Sequence, residues 1–146
     1  MKIESPAFKN ADRIPTQYTC DGADINPPLS ISDVPAGAKS LALIMDDPDA
    51  SRGQTWDHWL VWNIAPDTKE VKEGITPSGA ITGSNSWPKT AYGGPCPSAE
   101  HRYFFKLYAL DAVLDLPRGS AKDLLLKAMD DHILAEAKLM GKYSRQ

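Results

Sequence analysis

Three short runs of apolar, aromatic and β-branched residues, each cut off by proline, aspartate or glycine, limit this chain to a sheet-centred fold. The first, Ser40-Leu41-Ala42-Leu43-Ile44-Met45, is apolar nearly throughout, which predicts a strand covered on both faces. It stops at Asp46-Asp47-Pro48-Asp49, where proline ends ladder pairing. The second, His58-Trp59-Leu60-Val61-Trp62-Asn63-Ile64, is rich in aromatic and branched residues and ends at Pro66-Asp67. The third runs from Arg102 to Leu110 with the same character. Between the second and third lies an irregular stretch, from about Lys69 to Glu100, punctuated by glycine and proline. A connection of that length in a compact domain is usually functional or disordered, and Trp87 and Tyr92 argue for order because such residues seek a packed surface.

The C-terminal part changes character. Ser120-Ala121-Lys122-Asp123 reads as an N-cap with an acid at N3, close to a capping box. Leu124, Leu125, Met129, Ile133 and Leu134 recur at helical spacing, Ala135-Glu136-Ala137-Lys138-Leu139 favours helix, and Gly141 reads as a stop. Asp130-Asp131 reads as the cap of a second helix after a bend. The whole, residues 1–146, reads as one domain with a β-sheet core and late-packing helices.

Sixteen basic and nineteen acidic residues give a net charge of -3, with no cluster of five or six Lys and Arg. That balance sets aside nucleic acid and an anionic membrane surface as partners. No stretch approaches the roughly 20 apolar residues of a membrane span, and no apolar signal region opens the chain, so the expected location is cytoplasmic. Cys20 and Cys96 match no metal or redox spacing. In that compartment the expectation is two reduced thiols, with a disulfide as the alternative.

Ionisable residues gather at three strand edges: Asp46-Asp47-Pro48-Asp49, Trp56-Asp57-His58-Trp59 and Glu100-His101-Arg102-Tyr103. Each alone has an ordinary explanation as a strand terminator, a structural histidine or a solvated turn. They carry chemistry only if the fold brings them together, since loops and strand ends on a rigid sheet are where binding residues concentrate.

The same segments resemble the signature regions of the phosphatidylethanolamine-binding family, which includes the Raf kinase inhibitor proteins. The likeness runs through Leu43–Ala50, His58–Ile64, Tyr92-Gly93-Gly94-Pro95-Cys96-Pro97 and His101–Asp111. Tyr18-Thr19-Cys20-Asp21-Gly22, Asn26-Pro27-Pro28-Leu29 and the ending Leu134 to Tyr143 resemble the prokaryotic branch. The resemblance implies a mainly antiparallel β sandwich with one or two short C-terminal helices. It also implies a small pocket for phosphate, acetate or phosphoryl head groups.

By motif, the resemblance places Asp47 and Asp49 in the family's Asp-Pro-Asp motif, and His58, His101 and Tyr103 in the pocket. It gives Arg102 a structural role, takes backbone contacts from Gly94 and Pro95, and sets Trp56 near the mouth. Departures at Ser51, Trp87-Pro88 and Ala99-Glu100 leave the pocket residues intact and alter the mouth.

The expected function is a non-enzymatic binding protein for a small anion, with no cofactor and no metal. The histidines and Tyr103 offer donors, glycine N–H groups near Gly94 allow close approach, and Asp47 either shares a proton with the anion or orients a histidine. Asp47, His58 and His101 also form a formal facial set for iron or zinc, which is the metal alternative. No Gly-x-Ser-x-Gly elbow marks a hydrolase, although a Cys96–His101 pair across the loop is conceivable. The competing class is an inhibitor of a serine protease or kinase acting through protein contact. The aromatic-rich strands leave room for a free sheet face, and the expected assembly is a homodimer through it.

Overall fold

A computed structural model describes residues 1–145. Eight strands and one α-helix follow in order: β1 (Lys2–Glu4), β2 (Leu29–Ser32), β3 (Ser40–Asp47), β4 (Trp56–Ile64), β5 (Glu70–Val71), β6 (Ile81–Thr82), β7 (His101–Leu110), α1 (Lys122–Met129) and β8 (Ile133–Tyr143). Two antiparallel sheets result, β1-β2-β5 and the larger β6-β4-β3-β7-β8.

The centre of the larger sheet is buried on both faces, for a reason written in β3. Leu41, Leu43 and Met45 face the small sheet with Trp59, Val61, Phe105 and Leu107, and meet Ile3, Leu29, Ile31 and Val71 there. The alternate residues Ala42 and Ile44, with Leu60, Trp62 and Leu110, face the other way and are covered by Leu114 and by Leu125 and Met129 of α1. All eight residues of β3 are buried, as its unbroken apolar run predicts. Burying each large apolar side chain contributes about 1.5–3 kcal/mol, so this double layer is the main stabilising element.

The C-terminal segment departs from expectation. α1 forms, but its N-cap is Ala121 with no side-chain cap bond, and the Ser120 hydroxyl donates instead to Pro117 O. The second helix predicted after Asp130-Asp131 is absent, and Ile133–Tyr143 is strand β8. Its ladder with β7 runs from His101↔Tyr143 to Leu110↔Ile133. The good helix formers Ala135-Glu136-Ala137-Lys138-Leu139 are overruled by a ten-residue partner strand that would otherwise leave an edge row unpaired. Gly141, read as a helix stop, lies inside this strand, where an added Cβ would meet Ile14 and Phe8.

Along β8 the N–H groups of Met140 and Lys142 point away from β7, to Asn10 Oδ1 and Asp12 O. By alternation the odd-numbered N–H groups point into the ladder. Ala137→Pro should therefore remove a bond to β7 and lower stability by about 1–3 kcal/mol. Lys138→Pro, on the outward side, should stay within about 1 kcal/mol of wild type. Urea unfolding of the two variants checks this; equal damage at both positions would argue for a helix.

Candidate functional site

Strand periodicity sends the adjacent carboxylates of Asp46 and Asp47 to opposite faces of the sheet. Asp46 lies on the α1 side, fully buried, and its Oδ2 accepts from Lys106 Nζ and Lys122 Nζ, each at 2.9 Å. Lys122 also reaches Asp57 Oδ1 at 3.0 Å, so one helix residue pins the ends of both β3 and β4. Asp46 Oδ1 has no partner among the described residues.

Asp47 lies on the other face, where the larger sheet extends beyond its small partner. The pairing of β3 with β4 shifts register there, from Met45↔Trp59 to Asp46↔Asp57, which leaves His58 as the extra residue of a bulge. Bulges of this kind re-aim a side chain at the end of a ladder. β7 supplies the third component: Asp46 pairs with Phe104, so Asp47 stands opposite Tyr103, and His101 opens the strand beyond it.

These residues line one cavity of about 660 Å³. His101 Nδ1 lies 2.7 Å from Asp47 Oδ2, and Asp47 Oδ1 accepts from Asp49 N–H at 2.8 Å. His58 Nδ1 lies 2.7 Å from Gly93 O. A carbonyl only accepts, so that nitrogen carries a hydrogen and the tautomer is fixed. The His58 ring is held edge-on between Trp87 and Tyr103, with centroids 5.0 and 5.2 Å away. Trp87 in turn lies so close to Gly93 that any Cβ there would collide with its ring. Both histidines thus use Nδ1 internally, and neither Nε2 has a protein partner among the described residues.

Burial lowers the His58 pKa from its ordinary 6.5, outweighing the Gly93 carbonyl bond and the charges of Asp47, Asp46 and Asp57. His58 is therefore neutral at pH 7, with its Nε2 an acceptor. Burial also raises the Tyr103 phenol well above its usual value, with Asp47 adding to the shift, so its O–H remains a donor. At the rim, Arg102 binds Asp49 by Nε and one terminal nitrogen, at 2.9 and 2.8 Å, and by its backbone N–H. The guanidinium hydrogen bond, ahead of the other influences, holds the Asp49 pKa down at about 2.

Of the residues expected at a site, Asp47, Trp56, His58, His101 and Tyr103 line this cavity. Asp49, Gly94 and Pro95 do not: Asp49 is taken up by Arg102, Gly94 N–H donates to Asp24 Oδ1, and Pro95 O accepts from Cys20 N–H. The cavity adds Ala50, Ser51, Arg52, Gln54, Trp87, Cys96, Pro97 and Ser98. Trp87 and Ser51 had stood out in the sequence as departures at the mouth, and Ala50, Cys96 and Pro97 lie within the segments that carry the family resemblance, but none was assigned to the pocket. These residues come from loops whose path no periodicity encodes. Among the described residues, no group of three His, Cys, Asp or Glu side chains is arranged to hold a metal.

Cys20 and Cys96 are bonded to each other, which corrects the expectation of free thiols. They are 76 residues apart in sequence but have Cα atoms 5.4 Å apart, within disulfide reach. Spacing rules address local motifs and carry no signal for such a long-range pair.

An antiparallel sandwich with a histidine- and aspartate-lined cavity at one end of the larger sheet defines the class. The family described as phosphatidylethanolamine-binding protein matches residues 4–144, and this chain belongs to it. A UPF0098 protein of Methanothermobacter thermautotrophicus is 50% identical over 151 residues, covering 99% of each chain. Among solved structures, the PEBP homolog CT736 of Chlamydia trachomatis superposes with a TM-score of 0.95 at 45% identity, covering 99% of this chain and 97% of that one. E. coli YbcL, described as a new member of the mammalian PEBP family, gives 0.92 at 28% identity, with 99% and 98% covered. Membership supports a small-ligand-binding or regulatory protein. Among the described residues, no helix is long and apolar enough to cross a membrane.

The lowered pKa of His58 has a consequence for stability. Below about pH 6.5 the unfolded chain takes up a proton that the folded chain resists, so stability falls as pH drops through that value. Urea midpoints at about pH 7.5 and about pH 5.5 should differ more for wild type than for His58→Gln. An equal pH dependence in both would contradict a buried neutral His58.

Proposed function

We propose that the cavity binds a small, singly protonated oxyanion, such as phosphate monoanion or a phosphoryl head group, and holds it without turnover. The observation that carries this reading is the pair of Nε2 atoms, on two histidines lining one cavity, that have no protein partner among the described residues. With both Nδ1 atoms engaged internally, the two rings offer their remaining nitrogens to one ligand.

The pattern suits an anion that still carries a hydrogen. Neutral His58 accepts at Nε2 from a P–OH group. Tyr103 O–H is a donor to the other oxygens, and exposed Arg52 is the one Lys or Arg among the described residues that lines the cavity. The carboxylate of Asp47 repels a dianion more strongly than a monoanion, and its bonds to His101 and to the Asp49 N–H offset part of that repulsion. Charge-assisted hydrogen bonds of this kind contribute about 1.5–3 kcal/mol each.

Binding without turnover is supported by the nucleophile inventory. Cys96 carries no thiol for His101 to activate, because its sulfur is bonded to Cys20. Ser51 and Ser98 line the cavity, but neither hydroxyl is hydrogen-bonded to a histidine among the described residues.

A second reading, docking of a protease or kinase at the mouth, draws on Trp87. Trp87 is 37% exposed and its ring stands edge-on to Trp56 at 5.5 Å, so an apolar surface is presented beside the cavity.

The test is a titration with inorganic phosphate followed by histidine side-chain NMR. The His58 and His101 signals should move together, with affinity rising as pH falls from about 8 to about 6. His101→Ala should weaken binding by at least about tenfold. Affinity that is flat with pH, or a mutant that binds as wild type does, would sink the reading.

A further inference from the structure

The cavity wall contains a reactive group that anion binding does not use. Cys96 lines the cavity and is exposed, while its partner Cys20 is half-buried and the flanking Pro95 and Pro97 are buried. Exposed disulfides are the ones that exchange with external thiols.

The bond also sits at a mechanical boundary. On its N-terminal side the wall is tied down repeatedly: Tyr92 O–H donates to Tyr18 O, Gly94 N–H to Asp24 Oδ1, and Cys20 N–H to Pro95 O. On its C-terminal side the next ties are at the start of β7, from His101 Nδ1 to Asp47 and from Arg102 N–H to Asp49. Among the described residues, no hydrogen bond or ion pair holds residues 97–100 between them. Two of those four residues, Pro97 and Ser98, line the cavity, and the segment leads directly into His101.

We propose that Cys96 is a thiol-exchange site, and that the state of the Cys20–Cys96 bond sets the ligand affinity of the cavity. The attacking group is the thiolate of a small dithiol. It forms a bond to Cys96 Sγ as the Sγ–Sγ bond breaks, and Cys20 leaves as a thiolate that takes up a proton. The second thiol of the reagent then displaces Cys96 as a thiolate, which is also protonated. Two electrons and two protons pass to the protein, and the dithiol becomes a cyclic disulfide.

Once the bond is broken, Cys96 joins residues 97–100 in one longer segment held only at its ends, by the Cys20 N–H bond to Pro95 O and by the ties at the start of β7. A ligand must then order them as it binds, and that entropy cost appears as weaker affinity. The coupling is reciprocal: an occupied cavity resists reduction by the same factor that reduction weakens binding.

This affinity effect rests on the anion reading above, whereas the exchange site does not, so the test separates them. Folded, oxidised protein is treated with glutathione and peptide-mapped. The adduct should lie on Cys96; an adduct on Cys20 alone, or one formed only on unfolding, overturns the exchange site. This measurement needs no stable reduced form.

Inorganic phosphate is then titrated into oxidised protein, dithiothreitol-reduced protein and the Cys20→Ser/Cys96→Ser variant. The last two should bind at least about fivefold more weakly. Equal affinity in all three overturns the coupling. If the oxidised protein binds no phosphate, the anion reading fails. The tether is then read by amide hydrogen exchange of residues 98–100, where faster exchange on reduction supports it and unchanged exchange overturns it.

Discussion

Two adjacent aspartates at the end of a doubly buried strand set the terms for the rest of the molecule. A carboxylate removed from water needs cations or donors, and β3 delivers one carboxylate to each face of the sheet. On the helix face, Lys106 and Lys122 meet Asp46, and this fixes where α1 sits and joins it to β4 through Asp57. On the open face, Asp47 is met by the N–H of Asp49 and by His101. Only this second environment is reached by solvent through a cavity. The site is therefore half of a symmetric problem, solved on one face by lysines that close the structure and on the other by groups that leave it accessible.

His58 illustrates how a local irregularity sets chemistry. In a regular ladder, the residue after Asp57 would simply take the next place opposite β3. The bulge inserts it as an extra residue, and the Gly93 carbonyl then selects its tautomer. Burial keeps it neutral, while His101 is partnered by a carboxylate. Two chemically identical side chains in one cavity thus present different faces to a ligand, one as an acceptor and one through a ring bonded to an acid. Such asymmetry selects for an anion that both donates and accepts.

The parts of this arrangement legible from sequence are those encoded by side-chain pattern. The double burial of β3 followed from five apolar residues in a row, Leu41 to Met45, and β4 and β7 from their aromatic and branched content. Strand β8 was misread because Ala, Glu, Lys and Leu favour helix intrinsically, while its identity is set by the long partner beside it. The alternation was present in weak form, since Leu139, Gly141 and Tyr143 are the buried positions. The bulge, the Gly93 acceptor and the disulfide were not legible, because each joins residues distant along the chain. The partner of the Gly94 N–H was illegible for a related reason: it is Asp24, a residue of another loop.

The rim shows why geometry here is harder to change than composition suggests. Arg102 holds Asp49 by two guanidinium bonds and a backbone bond, Asp49 N–H bonds Asp47, and Asp47 bonds His101, which precedes Arg102 in the chain. The four residues close a ring between the β3–β4 loop and the start of β7. Half-exposed Arg102 gains little from its ion pair alone, because water screens a surface pair. Its value lies in the ring, where one fixed side chain restrains the next and each added bond orders a group already partly ordered. A Lys at the same place would keep the charge but lose the two-pronged grip, so the orientation of Asp47, and through it of His101, depends on the planar shape of the guanidinium rather than on its charge.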